Sequence, residues 1–447
     1  MKTDKIVDVA PDDPKNFVYI IFYWLGIGTL LPWNFFISVS EYWKYKFRTV
    51  NETYDAAMDN STSGMVLNDF QMSWSSHLAV ASMVPNVTML LLNAMFGHRF
   101  RTQPRLLVSL IFVIVLFIVT VTMTRIDTDS WQETFYYGTL VSVVIININA
   151  AIFQGGLLGV AGKFPPKYMG GVFSGQALGG IFASGTNIVL LALGANVVDA
   201  AFYDFLIAVI FLGTALATYM MVTRSEFFQH FADENSAKTV MKLPEDGKLL
   251  SEVETGVAIV HPKSVNLWSV FVQILFYAIA VFSIFTVTLG CFPSITVLVE
   301  SSYQGTSWGD TYFIPVACFL LFNVGDFLGR TAAEFLKWPK PGRIGMIIVL
   351  LIALARFAFI PLFIFCNIND SNRQVSMTVF GSDLAYMLIM SLFSMSNGYL
   401  ASICMISAPQ LLKTPEEQQT AASLMVALLG LGLGCGSFVS NFFVKLV

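Results

Sequence analysis

YFIPVACFLLFNVGDFLGRTAAEFL, residues 312–336, is apolar enough to cross a bilayer, yet it carries Asp326 and Arg330 near its centre and Glu334 a turn later. At 3.6 residues per turn, positions four apart share one helix face, so the Asp326 carboxylate can pair with the Arg330 guanidinium. Each such group costs roughly 2.5–3.5 kcal/mol at the centre of a membrane helix on insertion scales, so it must face a partner or a water-filled path. Two readings follow: an ion pair that locks helices together, or a polar site in a permeation path.

The rest of the chain agrees with a membrane setting. Of its 447 residues, 55% are hydrophobic and only 12% charged, against about 25% charged in soluble domains, and mean hydropathy is +0.68. Apolar runs of spanning length occur at 17–40, 75–97, 105–124, 134–162, 169–194, 200–223, 265–299, 311–336, 344–368, 383–407 and 419–445. The expectation is an all-α polytopic membrane protein of eleven transmembrane helices, with its termini on opposite sides. The first run lacks a small-residue cleavage site behind a basic region and reads as a span.

Lysine and arginine set the orientation. With residue 1 in the cytoplasm, 17 of the 25 basic residues fall in inside segments, 6 outside, and Arg330 and Arg356 within spans. This favours a cytoplasmic N-terminus and an extracellular C-terminus. Sequons at Asn51, Asn60 and Asn369 then fall in outside loops as candidate glycosylation sites, whereas Asn86 lies in a span and is expected to be silent. The five cysteines all sit in spans, with no disulfide framework or metal spacing, and no cofactor is expected.

One long polar interval divides the chain into a cytoplasmic N-terminus (1–16), a six-helix bundle (17–223), a flexible cytoplasmic linker (224–264) and a five-helix bundle (265–447). Within the linker, Glu245 followed by Leu249-Leu250 resembles an acidic dileucine sorting signal. The plasma membrane is the expected location, with an endolysosomal membrane as the alternative. Glycines at four-residue spacing, Gly155 and Gly159, Gly171, Gly175 and Gly179, and Gly430 and Gly434, are expected to let helices pack closely.

Uncharged polar groups recur deep in the spans: Trp33, Asn34, Asn147, Asn149, Gln154, Asn323, Ser396 and Asn397. An amide buried in hydrocarbon needs partners, and their presence in both halves points to a shared polar cavity. One carboxylate, one guanidinium, amides and aromatics suit an uncharged ligand with several hydroxyls and a flat face. A nucleoside fits this description; a sugar or an aromatic amine fits it less well.

LGIGTLLPWNFF (25–36), IFQGGLLG (152–159), residues 312–330 and SNGYL (396–400) together resemble the signature segments of the equilibrative nucleoside transporter family, over nearly the whole chain. The resemblance implies a major-facilitator-like fold of pseudo-symmetric six-plus-five bundles that moves purine and pyrimidine nucleosides, and some nucleobases, down their gradient. By motif match, Trp33 and Asn34 would line the first-helix wall, Gln154 would bind the base, and Asp326 and Arg330 would engage the ribose. Asn323, Phe322 and Asn397 would join that wall. Met83, Leu78 and Phe292 are apolar wall candidates, and Arg105 with Glu417 would form an inner gate. Ile37 stands where some members carry Met, a position linked with inhibitor sensitivity.

Three rivals follow from the same residues. Tyr203-Asp204 and Gly325-Asp326 superficially echo an intramembrane aspartyl protease, but Arg330 beside Asp326 opposes a proton-sharing dyad and the two carboxylates differ in depth. The chain is therefore expected not to be an enzyme. An organic cation or monoamine transporter could use Asp326 as a counter-charge, although Arg330 should partly cancel it. Proton coupling is the third.

Overall fold

A run of twenty apolar residues in hydrocarbon has no hydrogen-bond partner for its backbone except itself, so each run closes into a helix. The computed structural model describes residues 13–49, 68–96, 101–162, 164–232, 266–368 and 378–446. Among these, eleven helical segments are long and apolar enough to span: Pro14–Ser38, Asp69–Asn93, Thr102–Thr124, Asp129–Ala161, Lys167–Ala192, Val197–Val222, Leu267–Leu298, Trp308–Ala333, Arg343–Ile364, Asp383–Leu411 and Thr420–Lys445. The chain is an all-α polytopic membrane protein. Asn51, Asn60, Asn369, the Glu245 to Leu250 motif and the side chain of Glu334 lie outside the described residues.

Helix pairing repeats between the halves. In the first, span one packs on five and two on four; in the second, seven packs on eleven and eight on ten, the same pattern shifted by six. The halves meet where span five touches eight and span two touches eleven. The interval expected to be a flexible linker begins with a helix, Glu226–Ala232, because Phe227, Phe228 and Phe231 bury their rings against Phe164 under the first half.

Spans seven, eight and nine depart from regular helices within their length. Span seven stops at Cys291, and the chain turns through Phe292 and Pro293 into a short 3₁₀ segment. Span eight opens with wide π turns, Trp308–Tyr312 and Ile314–Leu320, before the regular helix Leu321–Leu336. Span nine tightens to 3₁₀ at Arg356–Ala358. Pro361 accounts for that break, since it has no N–H for the carbonyl four residues earlier.

On the face opposite residue 13, polar groups tie the loops. Arg48 meets Asp129 at 2.8 Å, and the buried Lys46 donates to the Ile126 carbonyl at 2.7 Å. Burial pulls the Lys46 ammonium below its ordinary value, an effect the nearby Asp129 and Asp127 carboxylates offset in part.

Spans eight and ten approach closely enough that a Cβ at Gly398 would overlap the Asp326 carbonyl oxygen, and one at Gly329 would overlap that of Met395. Gly159 and Gly434, expected from their spacing to pack closely, instead face open space. Overpacking of this kind costs about 1–3 kcal/mol. Gly398→Ala is expected to lower the monodisperse fraction recovered in detergent several-fold, as read by size-exclusion chromatography, whereas Gly434→Ala leaves it unchanged.

Candidate functional site

Between the two halves lies a cavity of about 2170 Å³, larger than a pocket shaped around one small ligand. Its wall runs from mid-helix to Arg101, Gln103, Gly162, Met169 and Phe228, all at the face bearing residue 13, so it opens there. Its far end is sealed by Ala79, Met83 and Leu289 with Trp33 and Leu433, side chains drawn from both halves. Phe292 and Phe322 stack beside that seal at 3.9 Å between centroids.

Trp33, Asn34, Gln154, Asn323, Asp326, Arg330 and Asn397 all line this one cavity. They come from spans one, four, eight and ten, and only the packing of the two halves brings them together. Of the apolar wall candidates, Met83, Phe292 and Phe322 line it, while Leu78 is buried in the apolar core and is not among the lining residues. Asn149 does not belong: its amide donates to the Ile145 carbonyl of its own helix at 2.9 Å on an exposed face. Asn86, read as a silent sequon, lines the wall from span two.

Asp326 is the hub. Arg330 Nε donates to its Oδ2 at 2.7 Å, and Asn397 Nδ2 donates to its Oδ1, also at 2.7 Å. The Asp326 side chain is 13% exposed and that of Arg330 35%, so the guanidinium reaches further into the cavity. A carboxylate offers about four lone-pair positions, which leaves capacity for donors from a ligand. Across the cavity, Gln154 lines the wall, and its Oε1 is buried with no hydrogen-bond partner among the described residues.

Among the described residues, the charged side chains of the wall are Arg101, Arg105, Arg330 and Asp326, three cations against one anion. Arg105 stands at the open mouth; Glu417 is outside the lining and makes a reciprocal cap with Thr414, at 3.3 and 3.4 Å, at the start of span eleven. Asp204 is also outside the cavity, buried in the first half on Asn187 at 2.8 Å, so it forms no carboxylate dyad with Asp326.

Several polar groups of this region are not legible from sequence. Gln176 donates to Thr29 at 3.0 Å between spans five and one, and both line the wall. Thr288 of span seven bonds Asn397 at 2.7 Å. Arg356, 2% exposed, bonds Thr288 at 2.9 Å from behind. Arg356 stood out in the sequence only as a charge within a span, the one available signal.

The opening toward one face is testable. With Cys435 replaced by serine, Ser402→Cys and Ile406→Cys are expected to react with a hydrophilic maleimide applied to the face bearing residue 13, and Met83→Cys to be protected from the opposite face. Labelling of Met83→Cys from that opposite face would contradict the seal.

Comparison with known proteins gives a consistent result. A family model described as "Nucleoside transporter" matches residues 140–445. Equilibrative nucleoside transporter 1 of Rattus norvegicus is 34% identical, covering 96% of this chain and 97% of its own length. The Homo sapiens protein of that name is 32% identical, at 98% and 99%, and Homo sapiens equilibrative nucleoside transporter 2 is 30% identical with the same coverage. Among solved structures, the nucleoside transporter NupG aligns over 95% of this chain and 90% of its own at a TM-score of 0.55 and 11% identity. The inward-open xylose transporter XylE of E. coli aligns over 96% and 90%, with a TM-score of 0.55 and 12% identity. Identities that low speak for the fold alone: both are helical transporters of the major facilitator type.

Proposed function

Because the chain belongs to the equilibrative nucleoside transporter family, we propose that it carries nucleosides down their gradient across a membrane, as a transporter and not an enzyme. The observation that carries the site assignment is the convergence of seven polar residues from four spans on one cavity, around a carboxylate and a guanidinium that both face it.

In this reading the ribose hydroxyls donate to the open lone pairs of Asp326 and accept from the Arg330 guanidinium. Asn397 and Asn323 complete that wall, the unpaired Gln154 oxygen accepts from an N–H of the base, and the Trp33 and Phe322 rings cover its faces. Cavity charge weighs against a cationic substrate. With Asp326 already engaged by Arg330 and Asn397, its charge is not held in reserve for an amine.

Transport follows from rocking the six-helix half (17–223) against the five-helix half (265–447). The described state is open toward the face bearing residue 13 and sealed at the other. Rocking would part the Trp33, Met83 and Leu289 contacts and bring the opposite ends together, where Arg105 and Glu417 are our candidates for the closing pair. The excess of basic residues supports a cytoplasmic open face and an extracellular C-terminus, and we place the protein in the plasma membrane with Asn51, Asn60 and Asn369 available for glycosylation. Uniport needs no coupled ion.

Two outcomes are expected. Asp326→Asn and Arg330→Ala should each lower uridine uptake at least about tenfold at unchanged surface abundance, since a recognition site loses its charge-assisted bonds; near-normal flux in both would remove these residues from the site. In de-energised vesicles, labelled uridine should equilibrate and go no further, with or without an imposed pH gradient. Accumulation under the gradient would establish proton coupling instead.

A further inference from the structure

Arg356 is a fully buried guanidinium with no carboxylate in ion-pair range among the described residues. Such a group in a membrane core is costly unless it serves a partner. It sits at the 3₁₀ break of span nine, flanked by the rings of Phe393 at 4.9 Å and Phe359 at 5.7 Å. Its Nη1 donates to the Phe393 carbonyl at 2.8 Å and to Ser396 Oγ, both on span ten. Its Nη2 donates to Thr288 Oγ1 at 2.9 Å.

From Thr288 the bonds run one way. Asn397 must turn Nδ2 toward Asp326, because its other terminus would set a carbonyl oxygen against a carboxylate oxygen. Asn397 Oδ1 then faces Thr288 at 2.7 Å, and since it can only accept, the Thr288 hydroxyl is the donor of the bond between them. The Ile284 carbonyl, also at 2.7 Å, competes for that single hydrogen. Arg356 fills one lone-pair position of Oγ1 and leaves the hydrogen to these two acceptors; directed at Asn397, it makes the thread continuous. The result is a donor chain, Arg356 to Thr288 to Asn397 to Asp326, that meets Arg330 arriving from the other side. Chains of this kind strengthen each member in a low-dielectric interior.

We propose that Arg356 is a positioning residue for sugar recognition: through Thr288 and Asn397 it fixes which lone pairs of Asp326 are spent on protein and which face the cavity, and thereby sets discrimination between hydroxylated and deoxygenated riboses. Arg356 is absent from the cavity wall, whereas Thr288 and Asn397 line it. Any influence of Arg356 on ligand choice therefore passes through the relay. The inference rests on the reading of Asp326 as the ribose acceptor.

The test compares initial uptake of uridine and 2′,3′-dideoxyuridine, which share a base, at subsaturating concentration and equal surface abundance. Arg356→Met is expected to lower the uridine to dideoxyuridine ratio about tenfold, mainly by slowing uridine, because an ill-positioned acceptor discriminates less. Thr288→Val, close to isosteric, should lower it similarly, and the double variant no further, since both break one chain. Asp326→Asn should collapse the ratio toward one. If Arg356→Met slows both nucleosides equally, or if the two single effects multiply in the double variant, the relay is refuted while the Asp326 result stands. If Asp326→Asn leaves the ratio intact, the ribose reading itself falls. Should Arg356→Met fail to reach the membrane, Thr288→Val decides: an unchanged ratio there overturns the proposal.

Discussion

A carboxylate held in the middle of a membrane helix sets the terms for everything around it. Asp326 cannot face lipid, and at 13% exposure it is nearly out of water as well, so its oxygens need donors supplied by the protein. Arg330 supplies one from the next turn and Asn397 the other from span ten. The second bond exists only because Gly398 and Gly329 strip the side chains from the contact between spans eight and ten and let their backbones nearly touch. Chemistry and packing here are one requirement.

Meeting that requirement has consequences one layer out. Asn397 brings Thr288 of span seven into the network, and Thr288 brings Arg356 of span nine. Four spans of the second half are thus joined around one polar thread, while the first half contributes Trp33, Asn34 and Gln154 to the facing wall with little bonding across the gap. Such a division suits alternating access. A half that is internally tied by hydrogen bonds moves as a unit, and the seal formed by Ala79, Met83, Leu289, Trp33 and Leu433 is apolar and non-directional, so it can part and re-form at small cost.

Cavity electrostatics sharpen the reading of the ligand. An isolated Asp326 would invite cations; the same residue paired with Arg330 and bonded by Asn397, in a wall with three arginines, presents a polar but not anionic surface. Hydroxyl-rich neutral solutes gain from it, because each hydroxyl can both donate to the carboxylate and accept from the guanidinium.

By itself the sequence determined the membrane setting, the eleven spans and the presence of polar residues deep within them, because the insertion cost of Asp326 or the helical period of an apolar run depends on local chain chemistry alone. It also marked Gly171, Gly175 and Gly179 as close-packing positions, which their approach to the first span bears out. Only the tertiary structure decided which polar residues belong to the cavity: Asn147 and Asn149 are two positions apart in one helix, and that offset of about 200° sends the first to the wall and the second away from it. The role of Arg356 was hidden for a similar reason. Its partners lie 37 to 68 residues away along the chain, and no local pattern encodes a bond that exists only after four helices have packed.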